Sequence, residues 1–155
     1  MLQHTLAKER RADFDCPAEF KTPLTSGYIR VCFTPHPRRV EQMRRITRTQ
    51  LRYCGPRDVE AVHTVGLVVS ELVTNAIRHG KAAMVTFSLA CDASGAIRIE
   101  VDDHTLSETR PSVQPFDADA EDGRGLAIVE ALTHAWGREG SCTWCTFPAE
   151  GGAAA

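Results

Sequence analysis

ELVTNAIRHG (71–80) closes a long apolar run, and its reading decides the fold. At about 100° per residue, Val62, Val65, Val69, Leu72, Val73 and Ala76 fall on one stripe, which predicts a helix ending near His79-Gly80. Glu71, Asn75 and His79 recur at i, i+4 and i+8 along the half-buried edge of that stripe. A carboxylate and a carboxamide one turn apart can face a shared ligand. The first accepts a proton or orients water, and the second offers an oxygen to a hard cation such as Mg²⁺. The plain alternative is a helix whose boundary residues happen to be Glu and Asn, and this run alone does not choose between them.

Two further runs bear on the choice. In the stretch ending in VDDHT (101–105), Ile97, Ile99 and Val101 alternate with Arg98, Glu100 and Asp102, which predicts a strand with one buried face. Asp103 continues the buried parity, and a buried carboxylate needs a donor; an adenine amino group would serve, unless the strand has ended and Asp103 sits in a turn. In EDGRGLAIVEAL (121–132), Gly123-Arg124-Gly125 precedes an apolar pattern of Leu126, Ile128, Val129, Leu132, Ala135 and Trp136 closed by Gly137. This predicts a helix to Trp136 that starts after the glycines, where backbone N–H groups can approach an anion. Many helices begin after glycine for turn geometry alone.

The order of an ExxxN helix, an Asp-ended strand and a GxG-started helix resembles the GHKL, or Bergerat-fold, ATPase superfamily over about residues 30–148. SELVTNAIRHG and GRGLAIVEALTHAWG are similar in detail to the small bacterial anti-sigma-factor serine kinases and their single-domain ATP-binding relatives. The resemblance implies Glu71 as catalytic base and Asn75 as Mg²⁺ ligand. It implies Asp103 as the carboxylate that reads adenine, and Gly123 and Gly125 as phosphate-loop glycines. The set expected to contact nucleotide is Asn75, His79, Asp103, Thr105, Gly123, Arg124, Gly125 and Leu126, with ATP and Mg²⁺ as cofactors. Two departures stand out. Thr105 occupies the place of the first glycine in the usual DxGxG box, and Glu121-Asp122 makes the approach to the glycine turn acidic, which Arg124 offsets.

At 155 residues, with 43% hydrophobic and 25% charged residues, the chain accommodates one globular domain and no second full one. A net charge of -2 argues against a dedicated nucleic-acid binder. No stretch reaches the roughly 20 apolar residues that cross a bilayer, and the start MLQHTLAKERR lacks a signal-peptide core; a cytoplasmic protein with no membrane partner is expected. Six cysteines are scattered at uneven spacings. The one CxxC, Cys142 to Cys145, lies in a predicted strand that would turn the two thiols to opposite faces, so free thiols are expected rather than zinc.

Residues 1–26 are expected to form a flexible extension, 27–148 the ATP-binding domain and 149–155 a tail. A strand is predicted over Gly27 to Thr34, then a helix from Pro37 to about Tyr53 with a face of arginines (38, 39, 44, 45, 48 and 52) read first as solvated. Strands near Ala83–Ala90 and Ala96–Asp103 form a hairpin, residues 104–122 a lid, and Ser141–Phe147 a last strand. The fold class expected is α+β, a two-layer α/β sandwich of the Bergerat (histidine kinase-like ATPase) type, with helices on one face of a mixed, mainly antiparallel sheet. The function expected is a regulatory Mg-ATP-binding protein, an anti-sigma-factor-type serine/threonine kinase that phosphorylates a small antagonist protein. Sequestration of a sigma factor belongs to the same resemblance, and the sequence leaves open whether the chain forms a homodimer. The alternative is a non-catalytic nucleotide-binding adaptor that binds a regulatory partner in an ATP-dependent way.

Overall fold

The alternation centred on Ile97, Ile99 and Val101 becomes the middle of a five-stranded sheet in the computed structural model, which describes residues 27–56, 58–105 and 121–149. The elements run β1 (Gly27–Phe33), α1 (Arg38–Cys54), α2 (Val59–His79), β2 (Val85–Cys91), β3 (Ile97–Asp102), α3 (Glu121–Leu132), β4 (Ala135–Glu139) and β5 (Cys142–Phe147). Strand order is β1-β2-β3-β5-β4, and every pairing among these strands is antiparallel.

Register follows from which residues are apolar. Ile29, Leu89, Ile99, Cys145 and Trp136 lie in one cross-strand row, and Val31, Phe87 and Val101 in the next. These rows join Val65, Val68, Val69, Leu72 and Val73 of α2, Met43 and Leu51 of α1 and Val129 of α3 in a single core. The other face is polar, with Arg98 stacked over the Trp144 ring at 4.8 Å and its Nε donating to Glu100 Oε1 at 2.7 Å. A one-residue slip would bury that row, so the register is strongly specified. The expected two-layer α+β sandwich with helices on one face is what forms.

Helix α2, the long helix of the fold, starts at Asp58, whose carboxylate accepts from the backbone N–H of Glu60 and Ala61 at 3.2 and 3.3 Å. Such a cap stabilises a helix start by about 1 kcal/mol. The helix stops at Gly80, whose N–H reaches Ala76 O at 3.0 Å.

Two expectations need correction. The last helix ends at Leu132, not Trp136, and residues 135–139 form the edge strand β4, which the sequence reading lacked. Thr133 terminates the helix, its hydroxyl and its N–H both bonding Val129 O, and the His134 N–H then donates to Thr146 O to begin the pairing. Gly137, read as a helix stop, is a strand residue: a Cβ there would stand 3.0 Å from the Trp144 ring. The turn to β5 uses Gly140 at φ 58°, a conformation that favours glycine. Helix α3 also begins earlier than expected, at Glu121, so Gly123-Arg124-Gly125 lies within its opening turns. The flexible extension over 1–26 and all but the ends of the lid over 104–122 lie outside the described residues, as does the tail beyond Ala149.

Candidate functional site

The edge of α2 predicted from Glu71 and Asn75 is half buried and meets α3. A Cβ added at Gly125 would lie 2.6 Å from Glu71 Oε2 and 3.6 Å from both Asn75 Oδ1 and Nδ2. The first and third sequence runs therefore converge, and the glycine lets the backbone of α3 come down onto the two polar side chains. Among the described residues, neither Glu71 nor Asn75 has a side-chain hydrogen-bond or ion-pair partner. A half-buried carboxylate and carboxamide without a protein partner among the described residues, beside a glycine cradle, form an acceptor set suited to a hard cation and a polar ligand.

The second run joins the far end of the same helix. A Cβ at Gly80 would meet Ala76 O and come within 3.1 Å of the Asp103 Cβ, so the C-terminus of α2 packs directly on Asp103. Nine residues separate Glu71 from Gly80, about 14 Å along the axis at 1.5 Å per residue.

Asp103 is buried, 5% exposed, in the inward parity expected of it. Its backbone N–H extends the sheet by bonding Ser141 O at 3.1 Å. The carboxylate accepts from Thr105 N at 2.8 Å and from Arg138 Nη2, which lies 3.1 Å from each oxygen. The donor expected from the sequence was a ligand amine, whereas the chain itself supplies a guanidinium. The signal was hidden because Arg138 sits on the unforeseen strand β4. His104, at φ 55°, is the positive-φ residue that turns the chain after Asp103, and its Nε2 lies 2.9 Å from Thr86 Oγ1. Thr105 Oγ1 accepts from Lys81 N at 2.8 Å, tying this turn to the end of α2.

Of the other predicted contacts, His79 is exposed in the last turn of α2, Arg124 is exposed on α3, Leu126 is half buried and Gly123 falls in the opening turn of α3. Elsewhere, three of the arginines read as a solvated face (Arg44, Arg48 and Arg52) line a cleft of about 460 Å³ together with His63 of α2. Cys142 and Cys145 take opposite faces of β5, and burial pushes both thiols up to about 12.

Residues 33–147 match the family described as the histidine kinase-like ATPase domain, and the chain belongs to that family. A solved structure of the RsbU and RsbW domains of Rv1364c from Mycobacterium tuberculosis aligns with a TM-score of 0.56 at 20% identity. The match covers 79% of this chain and 32% of that one, so this chain spans about a third of the other's length, and the likeness is one of fold. No curated protein matches the sequence. No helix among the described residues is long and apolar enough to cross a membrane.

Proposed function

We propose that this member of the histidine kinase-like ATPase domain family is a regulatory Mg-ATP-binding protein that transfers the γ-phosphoryl group to a serine or threonine of a small antagonist protein. The observation that carries the reading is the pair Glu71 and Asn75, unpartnered among the described residues and pressed against the glycine cradle of α3. Asn75 would hold Mg²⁺, which supplies charge neutralisation at the phosphates when bound. Glu71, one turn away, would accept the hydroxyl proton of the incoming side chain. The opening turn of α3 presents backbone N–H groups without intrahelical partners, and with the side chain of Arg124 these add positive character where phosphates would lie. Asp103 would accept from the base at the other end of α2.

The resemblance of SELVTNAIRHG and GRGLAIVEALTHAWG to the anti-sigma-factor serine kinases supports a protein partner of that regulatory kind, a sigma factor or its antagonist. A second reading, a nucleotide-dependent adaptor without transfer, is favoured by Thr105. Its hydroxyl is spent on Lys81 N, where the family's usual glycine would leave open backbone.

Calorimetric titration with Mg-ATP tests the shared premise. Incubation with γ-labelled ATP and a serine-bearing antagonist protein then separates the two readings. Label on the antagonist establishes the kinase, and ATP-dependent complex formation without label establishes the adaptor.

A further inference from the structure

We propose that Arg138 is a positioning residue of the nucleotide site, aiming the Asp103 carboxylate so that one acceptor on Oδ2 remains for a 6-amino purine. The proposal rests on the nucleotide-binding reading of this fold and adds a specificity determinant to it.

An ionised carboxylate has about four lone-pair sites, two on each oxygen. On Asp103, Oδ1 takes Thr105 N at 2.8 Å and Arg138 Nη2 at 3.1 Å, which fills it. Oδ2 takes Arg138 Nη2 alone, also at 3.1 Å, and keeps one site. Arg138 is itself aimed. It pairs with Thr143 in the β4–β5 register, and Thr143 pairs with Val101. The side chain therefore lies on the helix-facing side and reaches past β5 to the end of β3. Nη1 donates to Thr143 Oγ1 at 3.1 Å and Nη2 to Thr105 O at 3.2 Å, so a hydroxyl and a carbonyl fix the fork before it meets the carboxylate.

The side chains of Arg138 and Asp103 are 14% and 7% exposed, so the pair is shielded from water and the ionised form of Asp103 has its countercharge at hand. A carboxylate so held accepts hydrogen bonds and offers none. A 6-amino group satisfies it, whereas a 6-oxo group brings a second acceptor against it. Without the guanidinium, nothing holds Oδ2 in one direction, and the carboxylate can rotate away from the 6-position of either base. An ion pair that merely closed the end of the sheet would affect stability and leave base preference unchanged.

The test compares affinities for Mg-ATP and Mg-inosine triphosphate, which differ at the 6-position, in the full chain and in Arg138→Met and Arg138→Lys. The unmodified chain is expected to prefer ATP by about tenfold or more, the scale of one mismatched buried hydrogen bond. Arg138→Met should bring the two affinities to within about threefold of each other. Arg138→Lys, which restores the charge without the planar fork, should recover part of the preference and keeps the test open if the Met variant does not fold. A full ATP preference in both folded variants overturns the proposal while leaving the nucleotide site intact. Failure of the unmodified chain to bind either nucleotide overturns the nucleotide reading, and this inference with it.

Discussion

Gly125→Ala separates stability from function at this site, because the atom its new methyl group meets is mobile. The residue lies inside α3 without left-handed backbone, so alanine fits the main chain and favours the helix by roughly 0.5–1 kcal/mol. Against this stands the collision with Glu71 Oε2 at 2.6 Å, about 0.8 Å short of an ordinary contact. Asn75, at 3.6 Å, is already at normal distance. The carboxylate is the far end of a flexible side chain and escapes by turning its χ angles, at a cost of about 0.5–1.5 kcal/mol if it leaves a rotamer minimum. The two effects nearly cancel, and the unfolding free energy should stay within about 1 kcal/mol of the unmodified chain. The carboxylate nevertheless moves by most of an ångström. A misplacement of that size costs on the order of a hundredfold in a positioned reaction. Thermal unfolding, Mg-ATP titration and single-turnover release of ADP measure the three quantities side by side. Unchanged stability with unchanged turnover would show that the carboxylate of Glu71 is not used where it sits, and would remove it from the mechanism.

Other substitutions probe the rest of the edge. Glu71→Gln should keep Mg-ATP binding and lose transfer, whereas Asn75→Ala should weaken the Mg²⁺-dependent part of binding; titrations with and without Mg²⁺ distinguish them, and normal transfer by Glu71→Gln rejects the base assignment. Gly80→Ala meets the backbone carbonyl of Ala76, which cannot swing away, so it should destabilise the fold by about 1–3 kcal/mol, and an unchanged melting temperature would contradict the close approach at the end of α2. Iodoacetamide at pH 8 should modify exposed Cys32 in the folded chain and reach Cys142 and Cys145 only on unfolding, because burial lifts both thiols from 9.0 to about 12. The same shifts set a pH window: each raised thiol pKa contributes stability fully present below 9, lost as pH rises from there toward 12, and a flat stability profile over that range would refute the burial effect.

The helix edge and the buried parity of Asp103 were legible in the sequence because both depend on local periodicity. Glu71 and Asn75 are fixed by the 3.6-residue repeat that buries Val69, Leu72 and Val73, and Asp103 by the twofold repeat of Ile97, Ile99 and Val101. Strand β4 was not legible. Ala135 and Trp136 extend the apolar spacing of α3, and only pairing with β5 converts them to strand, a tertiary effect that no window around residue 135 contains. Arg138 was lost with it, and so was the donor for Asp103. The role of Gly125 was half legible. GxG suggested a close approach to an anion, while the approach the structure describes is to Glu71 of the same chain.

Thr105 shows how the turn after Asp103 is held without the family's usual glycine. A glycine there would give the backbone freedom and leave Lys81 N without the oxygen it now bonds. Threonine gives that oxygen, its own N–H fills Oδ1 of Asp103, and its carbonyl receives Arg138 Nη2. These three hydrogen bonds, each contributing about 1 kcal/mol net, link the end of α2, the end of β3 and the edge strand β4 through one residue. The carboxylate at their centre cannot be altered alone. Asp103→Asn would place an amide N–H₂ or a neutral oxygen against a guanidinium 14% exposed, so its penalty includes an uncompensated buried charge whether or not a ligand contact is lost. A fall in ATP affinity in Asp103→Asn therefore identifies a base contact only when the folded fraction is measured in the same sample. The ATP-to-inosine-triphosphate ratio is the cleaner readout, since unfolding lowers both affinities equally and cancels from it.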